Sequence, residues 1–108
     1  MCDLKSTKRL LEDCFTYGVK IKSLRKELKI SESEIHDRIL SEINDLTEKV
    51  MDLRTKIDSL DGYNVRLVMR MRYVNLMQFK DIAKELNITY QWVNKLHNDG
   101  VEQLSKIL

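Results

Sequence analysis

The 108-residue sequence contains no proline and only three glycines. Because proline breaks helices and glycine weakens them, their scarcity favours long helices joined by short connections. Aromatic residues make up 6% of the chain, which leaves little material for one large compact core. Since 33% of the residues are charged, we expect burial to come from leucine and isoleucine seams between helices. The composition therefore predicts an all-α protein.

The sequence also lacks long apolar runs and clusters of metal-binding side chains. No segment approaches the ~20 apolar residues that span a bilayer, and the N-terminus lacks the apolar centre of a signal peptide. We therefore expect a cytoplasmic protein without a membrane partner. Cys2 and Cys14 have no matching histidine or cysteine cluster, which argues against a metal site or a disulfide framework. His36 and His97 stand alone too, and we expect His97 to be a structural histidine.

No catalytic constellation and no glycine-rich phosphate loop is present in the sequence. We therefore expect neither a cofactor nor enzymatic activity.

The charge distribution is more informative than the net charge of +2. Residues 1–30 carry eight basic and four acidic residues, residues 31–62 four and nine, and residues 63–108 seven and four. Both ends are thus basic, which suits a phosphate-facing surface, whereas the acidic middle would repel DNA.

Residues 39–60 follow a heptad pattern. Their apolar residues are spaced alternately by four and three positions, as in the seam of a coiled coil, and are Ile39, Ile43, Leu46, Val50, Leu53, Ile57 and Leu60. The stretch 31–34 fits a capping box that would begin this helix. Asp61 and Gly62 would end it. The pattern predicts one long helix with a single apolar stripe.

A second seam lies in the first thirty residues. It consists of Leu10, Cys14, Tyr17, Ile21, Leu24 and Leu28. Gly18 weakens the interior of this helix by about 1 kcal/mol relative to alanine. The two seams could pair within the chain as an antiparallel hairpin, which their opposite charges favour, or between the subunits of a homodimer. We predict a helical hairpin or coiled coil over residues 1–62, acting as an oligomerisation arm.

Residues 79–98 have the pattern of a helix-turn-helix. The internal positions are apolar, and are Ile82, Ala83, Leu86, Ile88, Val93 and Leu96. Asn87 lies at the turn, where a positive φ is needed and asparagine tolerates it best after glycine. Thr89 offers a hydroxyl as the N-cap of the second helix. The pattern predicts a DNA-binding domain over residues 63–108, with a recognition helix at about 89–98 that Asn98–Gly100 ends or bends.

The outward face of the predicted recognition helix is polar. It carries Tyr90, Gln91, Asn94, Lys95 and Asn98. Glutamine and asparagine can pair bidentately with adenine, and lysine can reach guanine O6 and N7. Thr89 at the helix start and Lys80 on the first helix are candidate phosphate contacts. Any one of these side chains alone could be an ordinary solvated residue, but the face as a whole favours double-stranded DNA as the partner.

Other side chains of this half have internal roles in our interpretation. We expect Trp92 to pack against the preceding helix, at residues 64–74, rather than to lie over DNA. Arg70 or Arg72 could pair with Asp81 or Glu85 instead of meeting phosphates.

The C-terminal half resembles region 4 of bacterial sigma factors, the module that reads the promoter −35 element. The matching residues are Arg66, Val68, Arg70, Arg72, Tyr73, Asp81, Ile82, Ala83, Glu85, Leu86, Ile88, Thr89, Val93 and Leu104. Residues 37–108 are more similar still to small phage and prophage proteins of Gram-positive bacteria, described as transcriptional regulators, in which a sigma-region-4-like domain follows a coiled-coil stretch. The pairs Trp92–Val93 and Leu96–His97 are typical of them.

One departure limits what the resemblance implies. The base-reading positions are usually charged in sigma region 4, whereas here they are Tyr90, Gln91, Asn94 and Lys95. The docking mode therefore carries over, but the −35 preference does not. With no room for a promoter-melting region, we expect a homodimeric, sequence-specific regulator of phage or mobile-element type rather than a sigma factor. The alternatives are a protein-interaction module that binds RNA polymerase or another regulator, and a subunit that recognises a DNA-packaging site.

Overall fold

The computed structural model describes residues 3–30 and 32–108. These residues form five helices and no strand, so the predicted all-α class is confirmed. The helices are α1 (Leu4–Ile30), α2 (Ser33–Asp58), α3 (Tyr63–Tyr73), α4 (Phe79–Leu86) and α5 (Tyr90–Ile107). None of the helices in this described part is both long enough and apolar enough to cross a membrane.

The two long helices pack against each other as an antiparallel hairpin. The ion pair between Lys20 Nζ and Glu42 Oε1, at 2.9 Å, joins the middle of α1 to the first half of α2. At the far end of the hairpin, Ile21 and Leu24 of α1 pack with the first part of the α2 seam. The opposite charges of the two segments therefore meet within one chain, as the hairpin alternative predicted.

All seven residues of the predicted seam are buried, six of them on α2 and Leu60 just beyond its end. Leu53, Ile57 and Leu60 belong to the same apolar core as α3, α4 and α5. Side chains from both sides of the predicted boundary at residues 62 and 63 thus share one core, and the division into two domains stays a prediction. Dimerisation through the α2 seam also stays a prediction, and it would require α1 to be displaced or exchanged.

The buried stripe at the start of α1 differs from the predicted seam. Leu11 is fully buried, whereas Leu10 is 38% exposed. Thr7, one turn before Leu11, is also buried, and its hydroxyl donates to the Asp3 carbonyl at 2.8 Å. The alternation fails here because Leu11 packs in the core that α1 shares with α3, α4 and α5, on a different side of the helix from Leu10.

The predicted capping box at residues 31–34 is wrong in its details. The helix begins at Ser33 with Glu32 in the N-cap position, and no side chain caps it there. Ser33 is therefore already inside the first turn rather than before it. Ser31, like Cys2, lies outside the described residues.

The three shorter helices surround a fully buried centre. Val68 and Met69 of α3, Ile82 of α4, and Val93 and Leu104 of α5 have no exposed surface. Each of these three helices thus contributes at least one side chain to the same buried centre. This packing fixes the orientation of α5, the helix that carries most of the predicted contact residues.

Gly18 makes room for the connection between α3 and α4. A Cβ at Gly18 would lie 2.6 Å from Leu76 Cδ2, so the missing side chain lets this connection approach α1. Leu76 itself has a φ of 60°, an unfavourable conformation for a leucine. The glycine predicted to weaken α1 therefore lies where this connection passes close to the helix.

The predicted end or bend of the recognition helix at Asn98–Gly100 is wrong, because α5 continues without interruption to Ile107. Gly100 is buried, and a Cβ there would lie 2.6 Å from Met69 Cγ. Glycine is required at this position because α3 and α5 approach closely, and the helix does not stop there.

Candidate nucleic-acid interface

The connection between α4 and α5 has the predicted local geometry. Asn87 adopts the left-handed conformation, with φ 55° and ψ 46°. The N–H of Ile88 donates to the Ala83 carbonyl at 3.0 Å, a hydrogen bond that accompanies a left-handed residue after a helix. Thr89 Oγ1 accepts from the N–H of Trp92 at 3.1 Å, which confirms the predicted N-cap. These local hydrogen bonds help to set the direction of α5 relative to α4.

One side of α5 is anchored in the core. Val93 and Leu96 are buried, as the sequence predicted. Their partners include Ile82 and Ala83 of α4, which are buried in the same core. Because both helices contribute fully buried side chains to one core, the opposite side of α5 faces solvent in a fixed orientation.

Most of the predicted contact residues lie on the exposed side. The exposed ones are Lys80, Thr89, Tyr90, Gln91, Lys95 and Asn98. Asn94 is half-buried, and its amide donates to the Tyr90 carbonyl at 3.3 Å. Asn94 is therefore partly engaged with its own helix, as Thr89 is through its capping hydroxyl.

Three of these side chains share one stripe of α5. Gln91, Lys95 and Asn98 are spaced by four and three residues, which places them one above another on a helix. Lys80 lies on α4, next to Phe79, whose ring meets the Tyr90 ring edge-on with centroids 6.2 Å apart. The predicted set is thus divided between a stripe on α5 and a separate lysine on α4.

Charge changes along the exposed side of α5. The turns from Tyr90 to Asn98 contain Lys95 and no carboxylate, whereas Asp99 and Glu102 follow on later turns. The start of a helix also carries partial positive charge from its free N–H groups. An anionic partner is therefore favoured at the first turns of α5 and disfavoured further along.

Trp92 lies largely at the surface, and its predicted packing against α3 stays a prediction. Its side chain is 44% exposed, and Lys95 Nζ lies 5.0 Å from the centroid of the ring. Adjacent residues on a helix point about 100° apart, so the residue before the inward-facing Val93 turns away from the core. Tyr90, two residues earlier, is 54% exposed. The first turn of α5 thus presents two aromatic rings to solvent.

His97 and Tyr73 support α5 from the side opposite the solvent. The Tyr73 hydroxyl lies 2.6 Å from His97 Nε2, and the Phe79 and His97 rings are 4.9 Å apart between centroids. Burial lowers the pKa of His97 to about 4 and raises the pKa of Tyr73 to about 12. At neutral pH the Tyr73 hydroxyl is therefore hydrogen-bonded to an uncharged imidazole, and His97 is the structural histidine that was predicted.

Arg72 is held between aromatic rings from two helices. Its guanidinium carbon lies 4.2 Å from the Phe15 centroid on α1 and 5.1 Å from the Phe79 centroid on α4. Its Nη1 donates to the Met77 carbonyl at 3.0 Å. A guanidinium can stack and donate hydrogen bonds at once. Arg72 therefore ties α1 to α4 instead of pairing with a carboxylate.

The predicted pairing of Arg70 with Asp81 or Glu85 is also wrong. Arg70 forms an ion pair with Asp58 at the end of α2. Because α3 packs against α2, the Asp58 carboxylate is within reach of Arg70. Arg70 and Arg72 are thus both held by partners within the chain.

Sequence reasoning missed that α1 borders this region. A cleft is lined by Glu12, Phe15 and Thr16 of α1 and by Arg72, Tyr73, Phe79 and His97. The available signal was Phe15, a large apolar residue that does not belong to the seam pattern of α1. The hairpin is consequently part of the surroundings of α4 and α5.

The chain is therefore an all-α protein whose helical hairpin shares a core with three shorter helices, one of which presents a polar and basic face. Residues 27–105 match the family described as "Protein of unknown function (DUF1492)". Because this match covers most of the chain, the protein belongs to that family. Comparison with curated proteins and with solved structures gave no match.

Proposed function

We propose that the protein is a sequence-specific transcriptional regulator, of phage or mobile-element type, that binds double-stranded DNA. In this proposal α4 and α5 form a helix-turn-helix, and the part of α5 within residues 89–98 enters the major groove. The observation that carries the proposal is the exposed stripe of Gln91, Lys95 and Asn98 on a helix whose opposite side is fully anchored. The resemblance of residues 63–108 to sigma region 4 supports the same docking mode.

The chemistry of the stripe suits base edges and phosphates together. The Gln91 and Asn98 amides can each donate and accept, as adenine N6 and N7 require. Lys95 can reach guanine or a neighbouring phosphate, and Thr89 and Lys80 flank the helix start as phosphate contacts. Since Asp99 and Glu102 begin a carboxylate-bearing stretch, only the first turns of α5 enter the groove.

Two copies acting together would strengthen this binding. A single small DNA-binding module buries roughly 600–1,000 Å² of protein surface, which is small for tight, specific binding. We therefore propose a homodimer on DNA. Because α1 covers the α2 seam within the chain, the two copies meet through other surfaces or exchange α1. The mass of the free and DNA-bound protein tests this part.

A duplex-binding titration tests the proposal. Replacing Gln91, Asn94 and Lys95 together by alanine should abolish specific binding and leave the helical content unchanged. The matched control is Ser23→Ala with Lys26→Ala, which also removes one positive charge but lies at the far end of the hairpin. It should retain specificity and nearly full affinity. A triple variant that binds the selected sequence as tightly as the wild type would refute the assignment.

Salt dependence provides a second measurement of the same proposal. A protein that neutralises 6–10 phosphates loses about 10³–10⁵ in affinity between about 50 and 200 mM salt. We expect a steep loss of this kind, scaled to the number of contacts made. A flat salt profile would contradict binding through phosphates.

The exposed aromatic rings favour a second candidate function. Tyr90 and Trp92 project from the first turn of α5, and such side chains are enriched at protein–protein interfaces. In this candidate the same surface binds RNA polymerase or another regulator and has no DNA site of its own. Absence of duplex binding even at low salt, together with direct binding to purified polymerase, would favour this candidate over the first.

A further inference from the structure

The first half of α1 borders α5. Thr7 and Leu11 are fully buried, and α1 packs against α5 as well as against α2. Further along α1, Glu12 and Phe15 line a cleft together with His97 of α5. The start of the hairpin is therefore fixed relative to the helix that carries the proposed reading face.

Two exposed lysines continue the α1 face that meets this cleft. Lys5, Lys8, Glu12 and Phe15 are spaced by three, four and three residues, so they lie on one side of the helix. Lys8 lies one helical turn before Glu12, which lines the cleft together with His97 of α5. The two lysines thus add positive charge next to α5.

Neither lysine is paired with a carboxylate in the described part of the chain. The Asp3 carboxylate accepts from the N–H of Ser6 at 2.7 Å, at the start of its own helix. Glu12 lies one turn after Lys8 and lines the cleft, without an ion pair to Lys8. Both ammonium groups are therefore free to meet an anionic partner.

We infer that Lys5 and Lys8 form a second contact surface for DNA phosphates, beside the reading face of α5. This inference rests on the proposed function and extends it, because the hairpin then holds the duplex instead of only joining subunits. Lysines that meet phosphates add affinity without adding sequence preference. The basic start of α1 and the acidic α2 then have different roles, one on the duplex and one away from it.

The test is the salt dependence of duplex binding by Lys5→Gln with Lys8→Gln. Each lost phosphate contact should lower the slope of log K against log salt by about 0.9, so the double variant should lose about 1.8. The sequence selected from a random duplex library should stay the same. Glutamine and lysine have similar helix propensities, so the helical content should not change.

The matched control is Lys26→Gln with Lys29→Gln, on exposed positions of the same helix. Lys26 lies about 27 Å from Lys8 along α1, from a rise of 1.5 Å per residue. This control should keep the wild-type slope. The inference alone would be overturned if the Lys5 and Lys8 variant had the wild-type slope. It would also be overturned if both double variants lost the same amount of slope. Failure of the wild type to bind any duplex would overturn the proposed function as well.

Discussion

Replacing Gly100 by alanine tests whether α5 is continuous and pressed against α3. The added Cβ would lie 2.6 Å from Met69 Cγ and 2.7 Å from its Sδ. Met69 is fully buried, so its side chain has no solvent-filled space into which to retreat. Overpacking of this kind costs about 1–3 kcal/mol, while alanine gains about 1 kcal/mol over glycine in a helix. We expect a net loss of about 1 kcal/mol in the free energy of unfolding.

Gly18→Ala is the matched control, since it adds the same methyl group to the middle of another helix. Its Cβ would also meet a neighbour at 2.6 Å, but this neighbour is Leu76 Cδ2, the end of a half-buried side chain on a connection. A small rotation of Leu76 removes the contact, so the gain in helix propensity should dominate. We expect Gly18→Ala to be neutral or more stable by up to about 1 kcal/mol.

Urea unfolding followed by far-UV circular dichroism measures both variants against the wild type. The expected order of stability is Gly18→Ala, then wild type, then Gly100→Ala, with about 1–2 kcal/mol between the extremes. In thermal unfolding, 1 kcal/mol corresponds to a shift of about 4–8 °C for a chain of this size. If Gly100→Ala were as stable as Gly18→Ala, α3 and α5 would not be in close contact at Gly100 and the packing argument would fail.

Two further predictions concern α5. Thr89→Ala removes the oxygen that accepts from the Trp92 N–H and should cost about 1 kcal/mol in urea unfolding, whereas Thr89→Ser should cost much less; equal losses would exclude capping as the cause. His97 has a folded-state pKa of about 4, below its ordinary 6.5. The unfolded chain therefore takes up the proton first as the pH falls, and stability is lost between about pH 6.5 and 4. His97→Gln should lose less stability than the wild type between pH 7 and 5, and identical losses would contradict the burial of His97.

Local rules in the sequence were sufficient to predict the connection between α4 and α5. The left-handed Asn87 and the capping Thr89 depend on backbone geometry within a few residues, and both predictions are confirmed. The heptad pattern of α2 was similarly informative, because one regular stripe must be buried whichever helix covers it. The sequence left the covering helix open between a hairpin and a dimer, and in the structure it is α1.

Predictions failed where a contact between distant segments decides the structure. Gly100 follows two helix-ending residues and looks like a stop, yet the close approach of Met69 from α3 is what requires it. Leu10 fits the α1 seam, but Leu11 is buried instead, in the core shared with α3, α4 and α5. Such long-range contacts leave no periodic signal in the sequence.

The candidate interface shows the same division between local and long-range information. The outward direction of Gln91 and Lys95 follows from helical spacing once Val93 is placed in the core. The exposure of Trp92 follows from the same spacing, because Trp92 precedes the inward-facing Val93. The internal partners of Arg70 and Arg72 could not be predicted, because they lie on α1, on α2 and on the connection before α4.

The exposure of Trp92 also supplies a direct signal for binding. It is the single tryptophan of the chain, and it lies on the first turn of α5, beside Gln91. A duplex that docks on this turn would change its surroundings. Its fluorescence should therefore respond to DNA in the wild type and should report docking on α5 without an added label.

The central claim is that the first turns of α5 read a DNA sequence, and selection from a random duplex library tests it most directly. Wild-type protein, at about 50 mM salt, should enrich one common motif and bind it with quenched or shifted Trp92 fluorescence. The variant with alanine at Gln91, Asn94 and Lys95 should enrich no motif while keeping its helical content. Failure of the wild type to enrich any sequence, or enrichment of the same motif by the triple variant, would contradict the claim.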